Sequence, residues 1–252
     1  MKTINPSDFR LRRFFRWLLS FCLIGAMPMV SLGQIQFSDV SSQAGFQGFS
    51  PSFGASWGDL NGDGLPDLFD NNHARRNSIH LNNGNGTFSD VASQVDGASY
   101  WSRSGAWEDT HGGSWVDFDN DGDQDLMIST GDCCNVQFFV NENGILYNRT
   151  EEYGLLGDAD LGGRMPVWFD MDDDGSLEVA FATYYRAPLF SQNAGGFVNA
   201  RPGSGFVCNH DQYATLVDLN ADGRLEVLCV TAGGPFAPQV YDTTTIPFQN
   251  VA

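Results

Sequence analysis

Four acidic stretches are where this chain could do chemistry: Asp59-Leu60-Asn61-Gly62-Asp63-Gly64-Leu65-Pro66-Asp67, Asp117-Phe118-Asp119-Asn120-Asp121-Gly122-Asp123-Gln124-Asp125, Asp170-Met171-Asp172-Asp173-Asp174-Gly175-Ser176-Leu177-Glu178 and Asp218-Leu219-Asn220-Ala221-Asp222-Gly223-Arg224-Leu225-Glu226. Each has Asp or Asn at positions 1, 3 and 5, Gly at 6 and an acid at 9. That alternation turns three side-chain oxygens toward one point as the chain curls. Glycine permits the sharp turn that follows, after which the carbonyl of position 7 can face inward and the acid at 9 closes the shell. Hard oxygen ligands in a flexible cage favour Ca2+ over Mg2+. Without a cation, the crowded carboxylates would repel one another. The expected ligands are Asp59, Asn61, Asp63, Leu65 and Asp67; Asp117, Asp119, Asp121, Asp123 and Asp125; Asp170, Asp172, Asp174, Ser176 and Glu178; and Asp218, Asn220, Asp222, Arg224 and Glu226, for about four Ca2+ ions. Position 7 would act through its backbone carbonyl. An EF-hand is rejected, because its closing Glu falls at position 12 and helices flank its loop.

Strands must position these loops. Trp57, Trp115, Trp168 and Leu216 each stand two residues before a loop, and Leu68-Phe69, Leu126-Met127-Ile128, Val179-Ala180-Phe181 and Val227-Leu228-Cys229-Val230 follow. These are short apolar and β-branched runs with no helical period. Position 2 is apolar in every loop (Leu60, Phe118, Met171, Leu219), which predicts that this residue pins each loop to the core. Loop starts fall 58, 53 and 48 residues apart, a spacing suited to a propeller blade of four short strands. A second element recurs out of phase: Phe37-Ser38-Asp39-Val40, Phe88-Ser89-Asp90-Val91, Tyr147-Asn148-Arg149-Thr150 and Phe248-Gln249-Asn250-Val251. Gly/Asn turns at Asn82–Gly86 and Asn141–Gly144 precede the inner copies, with a degenerate version at Gln192–Phe197. The fold class is therefore all-β, with β-propeller-type repeats. Residues 34–252 hold about four units and the opening of a fifth, an open or truncated array that should self-associate or need further blades.

Residues 1–33 read as a signal peptide. Lys2, Arg10, Arg12, Arg13 and Arg16 precede an apolar run from Trp17 to Val30, and Ser31 and Gly33 place cleavage before Gln34. Arg12-Arg13 leaves a twin-arginine route open beside the general one. Removal of this segment leaves 8 basic and 30 acidic residues, a net charge of −22. So acidic a chain is not a nucleic-acid binder. No later apolar run is long enough to span a membrane, which predicts a secreted, periplasmic or cell-surface protein. Export permits disulfides among Cys133, Cys134, Cys208 and Cys229, and the sequence leaves three pairings open. The four histidines (His73, His80, His111, His210) read as structural or surface residues, and no nucleophile elbow, P-loop or HExxH motif occurs. No catalytic residue is expected. The alternative is a Ca2+-dependent propeller lyase or hydrolase acting on polysaccharide.

From about residue 35 to 252 the chain resembles the FG-GAP/VCBS repeats of integrin-alpha-like β-propellers. Trp107–Gly122, Asn71-Asn72-His73 and Leu81–Phe88 are most similar to the repeat regions of ASPIC/UnbV-type proteins. The resemblance implies an extracellular propeller with Ca2+ at its blade hairpins, used in adhesion or in recognition of a protein or glycan.

Overall fold

The computed structural model describes residues 36–46, 52–72, 76–92, 95, 110–131, 136–155, 163–172, 174–182, 188–193, 195–200, 202–206, 208, 211–231, 238–242 and 249–250. The expected signal segment, His73, His210, Cys133, Cys134 and Phe248 lie outside the described residues. The chain divides into Met1–Asp39 and Val40–Ala252. All the sheets belong to the second unit, and among the described residues there is no α-helix.

Four antiparallel sheets of four strands follow one another along the chain. The first comprises β1 (Ala55–Gly58), β2 (Asp67–Asp70), β3 (Ser78–Asn82) and β4 (Phe88–Asp90). The second comprises β5 (Thr110–Val116), β6 (Asp125–Thr130), β7 (Gln137–Glu142) and β8 (Ile145–Asn148). The third comprises β9 (Met165–Phe169), β10 (Glu178–Ala182), β11 (Leu189–Asn193) and β12 (Gly196–Asn199). The fourth comprises β13 (Asp211–Val217), β14 (Glu226–Thr231), β15 (Gln239–Asp242) and β16 (Gln249–Asn250). Strands within each sheet lie in chain order, as short hairpin connections require. The first strands contact one another in series, β1 with β5, β5 with β9 and β9 with β13. The result is a row of propeller-like blades, without closure of the fourth on the first among the described residues.

Side chains alternate across each strand, so each inner sheet has one face toward the preceding sheet and one toward the following sheet. Three cores fill the gaps. Leu60, Phe69 and Ile79 meet Leu126, Ile128, Phe139 and Leu146 between the first two sheets. Phe118, Met127, Phe138 and Val140 meet Val179, Phe181, Phe190 and Phe197 in the next gap. Val167, Phe169, Met171, Ala180 and Ala182 meet Ala214, Val227, Cys229 and Tyr241 in the last. Cys208 and Cys229 form a disulfide beside this third core.

Two expectations change. The aromatic–polar–polar–β-branched element ends a sheet rather than opening one. Phe88, Tyr147 and Phe197 lie on fourth strands, and Gln249–Asn250 pairs with β15 to complete the fourth sheet instead of starting a fifth. Position 2 is also not a uniform pin. Leu60, Phe118 and Met171 are buried, whereas Leu219 is 57% exposed. Each buried copy plugs into the following sheet, and no following sheet covers the fourth among the described residues.

Candidate functional site

Every acidic nonapeptide connects the first and second strands of its sheet, and the ladder holds its mouth shut. Position 9 pairs with the residue just before position 1, as Gly58 with Asp67, Val116 with Asp125, Phe169 with Glu178 and Val217 with Glu226. A tight curl between these ends needs left-handed backbone at two points. Position 6 supplies it as glycine in all four loops. Position 4 adopts it too, as Gly62 (φ 69°), Asn120 (φ 60°) and Ala221 (φ 61°). Sequence reasoning identified the first requirement and missed the second.

The same hydrogen bonds recur in each loop. The amide of position 6 donates to the position-1 carboxylate, at 2.8 Å for Gly64, 3.2 Å for Gly122, 2.9 Å for Gly175 and 3.0 Å for Gly223. The amide of position 7 donates to the position-5 carboxylate at 2.7–2.9 Å. These bonds fix the loop while leaving carboxylate oxygens gathered. Asp117, Asp119 and Asp121 each offer an oxygen within 4.8 Å of the others, and so do Asp170, Asp172 and Asp174. In the first and fourth loops Asn61 and Asn220 stand at position 3, and their amides donate to Asp63 and Asp222 at 3.0 and 2.9 Å. Asp117 Oδ1 is buried without a hydrogen-bond partner. A buried, orphaned carboxylate oxygen beside two more carboxylates fits a hard cation.

Position 9 sits deeper than the sequence implied. Asp67, Asp125, Glu178 and Glu226 are all buried. Each accepts a hydrogen bond from the amide of position 2, at 2.9, 3.2, 2.7 and 2.7 Å in chain order. The second oxygens of Asp67 and Asp125 accept from the amides of Asn82 and Asn141 at 2.7 and 2.8 Å. Burial pushes Asp125 and Glu178 up to about 7; these amides oppose the shift and the neighbouring loop carboxylates add to it. Asp67 and Asp119 are raised as well, again chiefly by burial.

Asn141 is a brace that sequence reasoning passed over as a turn residue. Its side-chain amide donates to Leu60 O at 2.8 Å and to Gln124 O at 3.0 Å, tying the second loop to the first. Gln124 Oε1 accepts from the amide of Asp59 at 2.7 Å. Its recurrence at the start of a Gly/Asn turn, as in Asn82, was the available signal. The described histidines make structural contacts. His111 is buried, with its ring nitrogens 2.6 and 3.1 Å from Arg164 Nη1, and His80 packs edge-on against Phe46.

Comparison with known proteins agrees with this architecture. Residues 59–128, from the first loop into the strand after the second, match the FG-GAP-like repeat. No curated protein matches the chain by sequence. Among solved structures, a lectin from Agrocybe aegerita, described for specific recognition of non-reducing terminal N-acetylglucosamine, is similar in fold. The TM-score is 0.53 at 18% identity, over 84% of this chain and 54% of the lectin. The chain thus spans about half the length of that structure. Among the described residues no helix is long and apolar enough to cross a membrane.

Proposed function

We propose that this chain is a calcium-loaded recognition module that presents glycan- or protein-binding surfaces on a row of FG-GAP-like blades. The observation that carries the proposal is the nest at Asp117, Asp119 and Asp121, with oxygens within 4.8 Å of one another and one of them buried without a partner. Backbone amides hold each loop in its curl, so the acids are gathered before any ion arrives. Positions 1, 3 and 5 would hold Ca2+, which would supply the positive charge the cluster lacks. The buried position-9 acid secures the loop to the sheet and stands closest to the core.

A binding role is supported by the FG-GAP-like repeat and by the fold shared with a lectin. An extracellular setting is supported by the leader-like residues 1–33 and by the Cys208–Cys229 disulfide, a bond that persists in oxidising compartments. Intact mass of exported protein beginning at Gln34 would bear out cleavage; retention of residues 1–33 in membranes would make them an anchor.

Calorimetric titration of the chelated protein should find about four ions per chain, at the roughly 10⁻⁴–10⁻³ M affinities of extracellular sites. At one to ten times Kd, each ion adds about 0.4–1.4 kcal/mol of stability, which EDTA should remove. Asp119→Ala should lose about one ion. A melting curve indifferent to EDTA refutes the calcium assignment. A glycan array with and without Ca2+ tests recognition, and degradation of a bound glycan would make the protein a lyase or hydrolase instead.

A further inference from the structure

The first sheet carries a second gathering of polar side chains, away from the acidic loop. Phe69 and Ile79 point into the core shared with the second sheet. Strand alternation puts their neighbours on the opposite face. There the ladder sets Asp70 opposite Ser78, Leu68 opposite His80 and His80 opposite Asp90, so the four polar side chains share one face across β2, β3 and β4. A turn of the chain's own earlier part walls this patch. Val40 O and Ser41 O accept from the amides of Ala44 and Phe46 at 2.8 and 2.9 Å, and Ala44 O accepts from the amide of Phe88 on β4 at 2.8 Å. Gly45 (φ 93°) permits that approach, since a Cβ there would lie 2.7 Å from Phe88 O. The turn sets the Phe46 ring 4.8 Å from His80 and 5.0 Å from Phe88. Between the turn and the patch lies a cavity of about 310 Å³, lined also by Asn72.

His80 is the observation that points to a ligand. It is 8% exposed and lines the cavity, and neither ring nitrogen has a hydrogen-bond partner among the described residues. A buried imidazole left so is costly, and a hydrogen-bonding ligand would relieve it. Burial lowers its pKa; Asp90 and Asp70 oppose the shift and Arg76 adds to it. The neutral ring offers one donor and one acceptor.

The surrounding groups decide what fits. Asp70 accepts from Ser52 Oγ at 2.8 Å with one oxygen, which leaves the other open. Asp90 is engaged on both sides, by Arg76 at Oδ2 and by the Ala92 amide at Oδ1. Among the described residues only the two Asp triads of the second and third loops bring three such ligand atoms within 4.8 Å, so Asp70, His80 and Asp90 stand too far apart to close on one ion. An anion would face two carboxylates. A polyamine would find one open carboxylate oxygen beside a guanidinium. A hydroxyl donates and accepts at once, which matches a neutral imidazole, a carboxylate oxygen and the Ser78 hydroxyl together.

We propose that this cavity binds one neutral sugar ring, with His80 and Asp70 taking its hydroxyls and Phe46 against its C–H face. The proposal rests on the recognition role inferred above and gives that role a place. No acid of the nonapeptide loops lines the cavity. Its volume is at the small end of the about 300–1,000 Å³ of ligand sites, so it takes a single unit or the end of a glycan rather than an internal stretch.

The test is calorimetric titration of the full chain in Ca2+ with the methyl glycosides of glucose, galactose, mannose and N-acetylglucosamine. At least one should bind, and neither glucuronate nor spermidine should displace it. His80→Phe keeps a ring against Phe46 and removes both nitrogens. It should weaken that glycoside by at least about 10-fold, with a melting temperature no lower than the parent's, because the ring it replaces had no partner to lose. If phenylalanine disturbs the sheet, Asp70→Asn on the neighbouring strand gives the same readout. The His80 ring nitrogen resonances, assigned by their absence in His80→Phe, should shift when the glycoside is added to the parent. A parent that binds no neutral glycoside overturns the proposal together with glycan recognition. Undiminished binding by either folded variant, or displacement by spermidine or glucuronate, overturns the proposal and leaves recognition standing.

Discussion

Truncating loop position 2 in each unit should give three large losses of stability and one small one, although the four sequences around it read alike. Phe118 is 2% exposed, and its ring meets Phe138 at 4.9 Å, Tyr153 at 5.2 Å and Phe197 at 6.0 Å. Phe118→Ala therefore empties a ring-sized space between the second and third sheets and should cost about 3–5 kcal/mol. Leu60→Ala and Met171→Ala, at the other two interfaces, should cost about 2–5 kcal/mol each. Leu219→Ala removes a side chain already in solvent and should cost about 0.5 kcal/mol or less. Alanine keeps the amide that donates to the position-9 acid, so the difference reports inter-sheet packing alone. The assay is urea unfolding in excess Ca2+ at low protein concentration, followed by tryptophan fluorescence and far-UV dichroism. Coincident transitions permit a single free energy. If Leu219→Ala costs as much as Phe118→Ala, the forward face of the fourth sheet is covered. If Phe118→Ala costs less than about 1 kcal/mol, the sheets are not interlocked as described.

Three further outcomes follow. In EDTA the protein should be more stable near pH 5 than near pH 8. Asp125 and Glu178 titrate at about 7 in the fold and in the usual carboxylate range when unfolded, so raising the pH forces charge onto buried groups. The loss should be on the order of 3 kcal/mol for the pair after allowing for solvent screening, and saturating Ca2+ should reverse the trend; identical profiles with and without Ca2+ would contradict the loop electrostatics. Cys229→Ala should cost about 3 kcal/mol, from the 21-residue separation its disulfide closes, and the parent should lose a similar amount in reductant by thermal melting. Ala221→Gly should stabilise the fourth loop by about 0.5–1 kcal/mol in the same assay, because Ala221 is held at φ 61°.

Most of the fold was legible because its signals are local. The DxDxDG pattern, the apolar pairs behind it and the Gly/Asn turns each specify a loop, a strand or a hairpin from a few neighbouring residues. What the sequence did not reveal depends on partners distant along the chain. Phe88 and Gln249–Asn250 could be placed as the last strand of a sheet only once β3 and β15 were seen beside them. Leu219 looks like Leu60 until one asks which sheet comes next. The Cys208–Cys229 pairing spans 21 residues, and the Asn141 brace reaches from the second unit to Leu60 of the first. The position-9 acids were recognised, but their burial follows from strand pairing at the loop mouth, which composition does not encode.

The seams between sheets, where the Trp115 indole donates to the Ser56 carbonyl, the Trp168 indole donates to the Ser114 hydroxyl and Leu216 packs in the core that holds Val167, also bear on how such a chain can be shortened by recombination. Loss of the entire second unit would bring Ser56 under Trp168, a partner of the kind it already has. Loss of the third would bring Ser114 under Leu216 and strip its hydroxyl of the Trp168 donor, adding a second unpartnered hydroxyl to that of Ser56, which is already buried without a partner. The units look interchangeable by their loops, but their seams make them unequal, and the second is the one the chain could surrender with least disturbance to what remains.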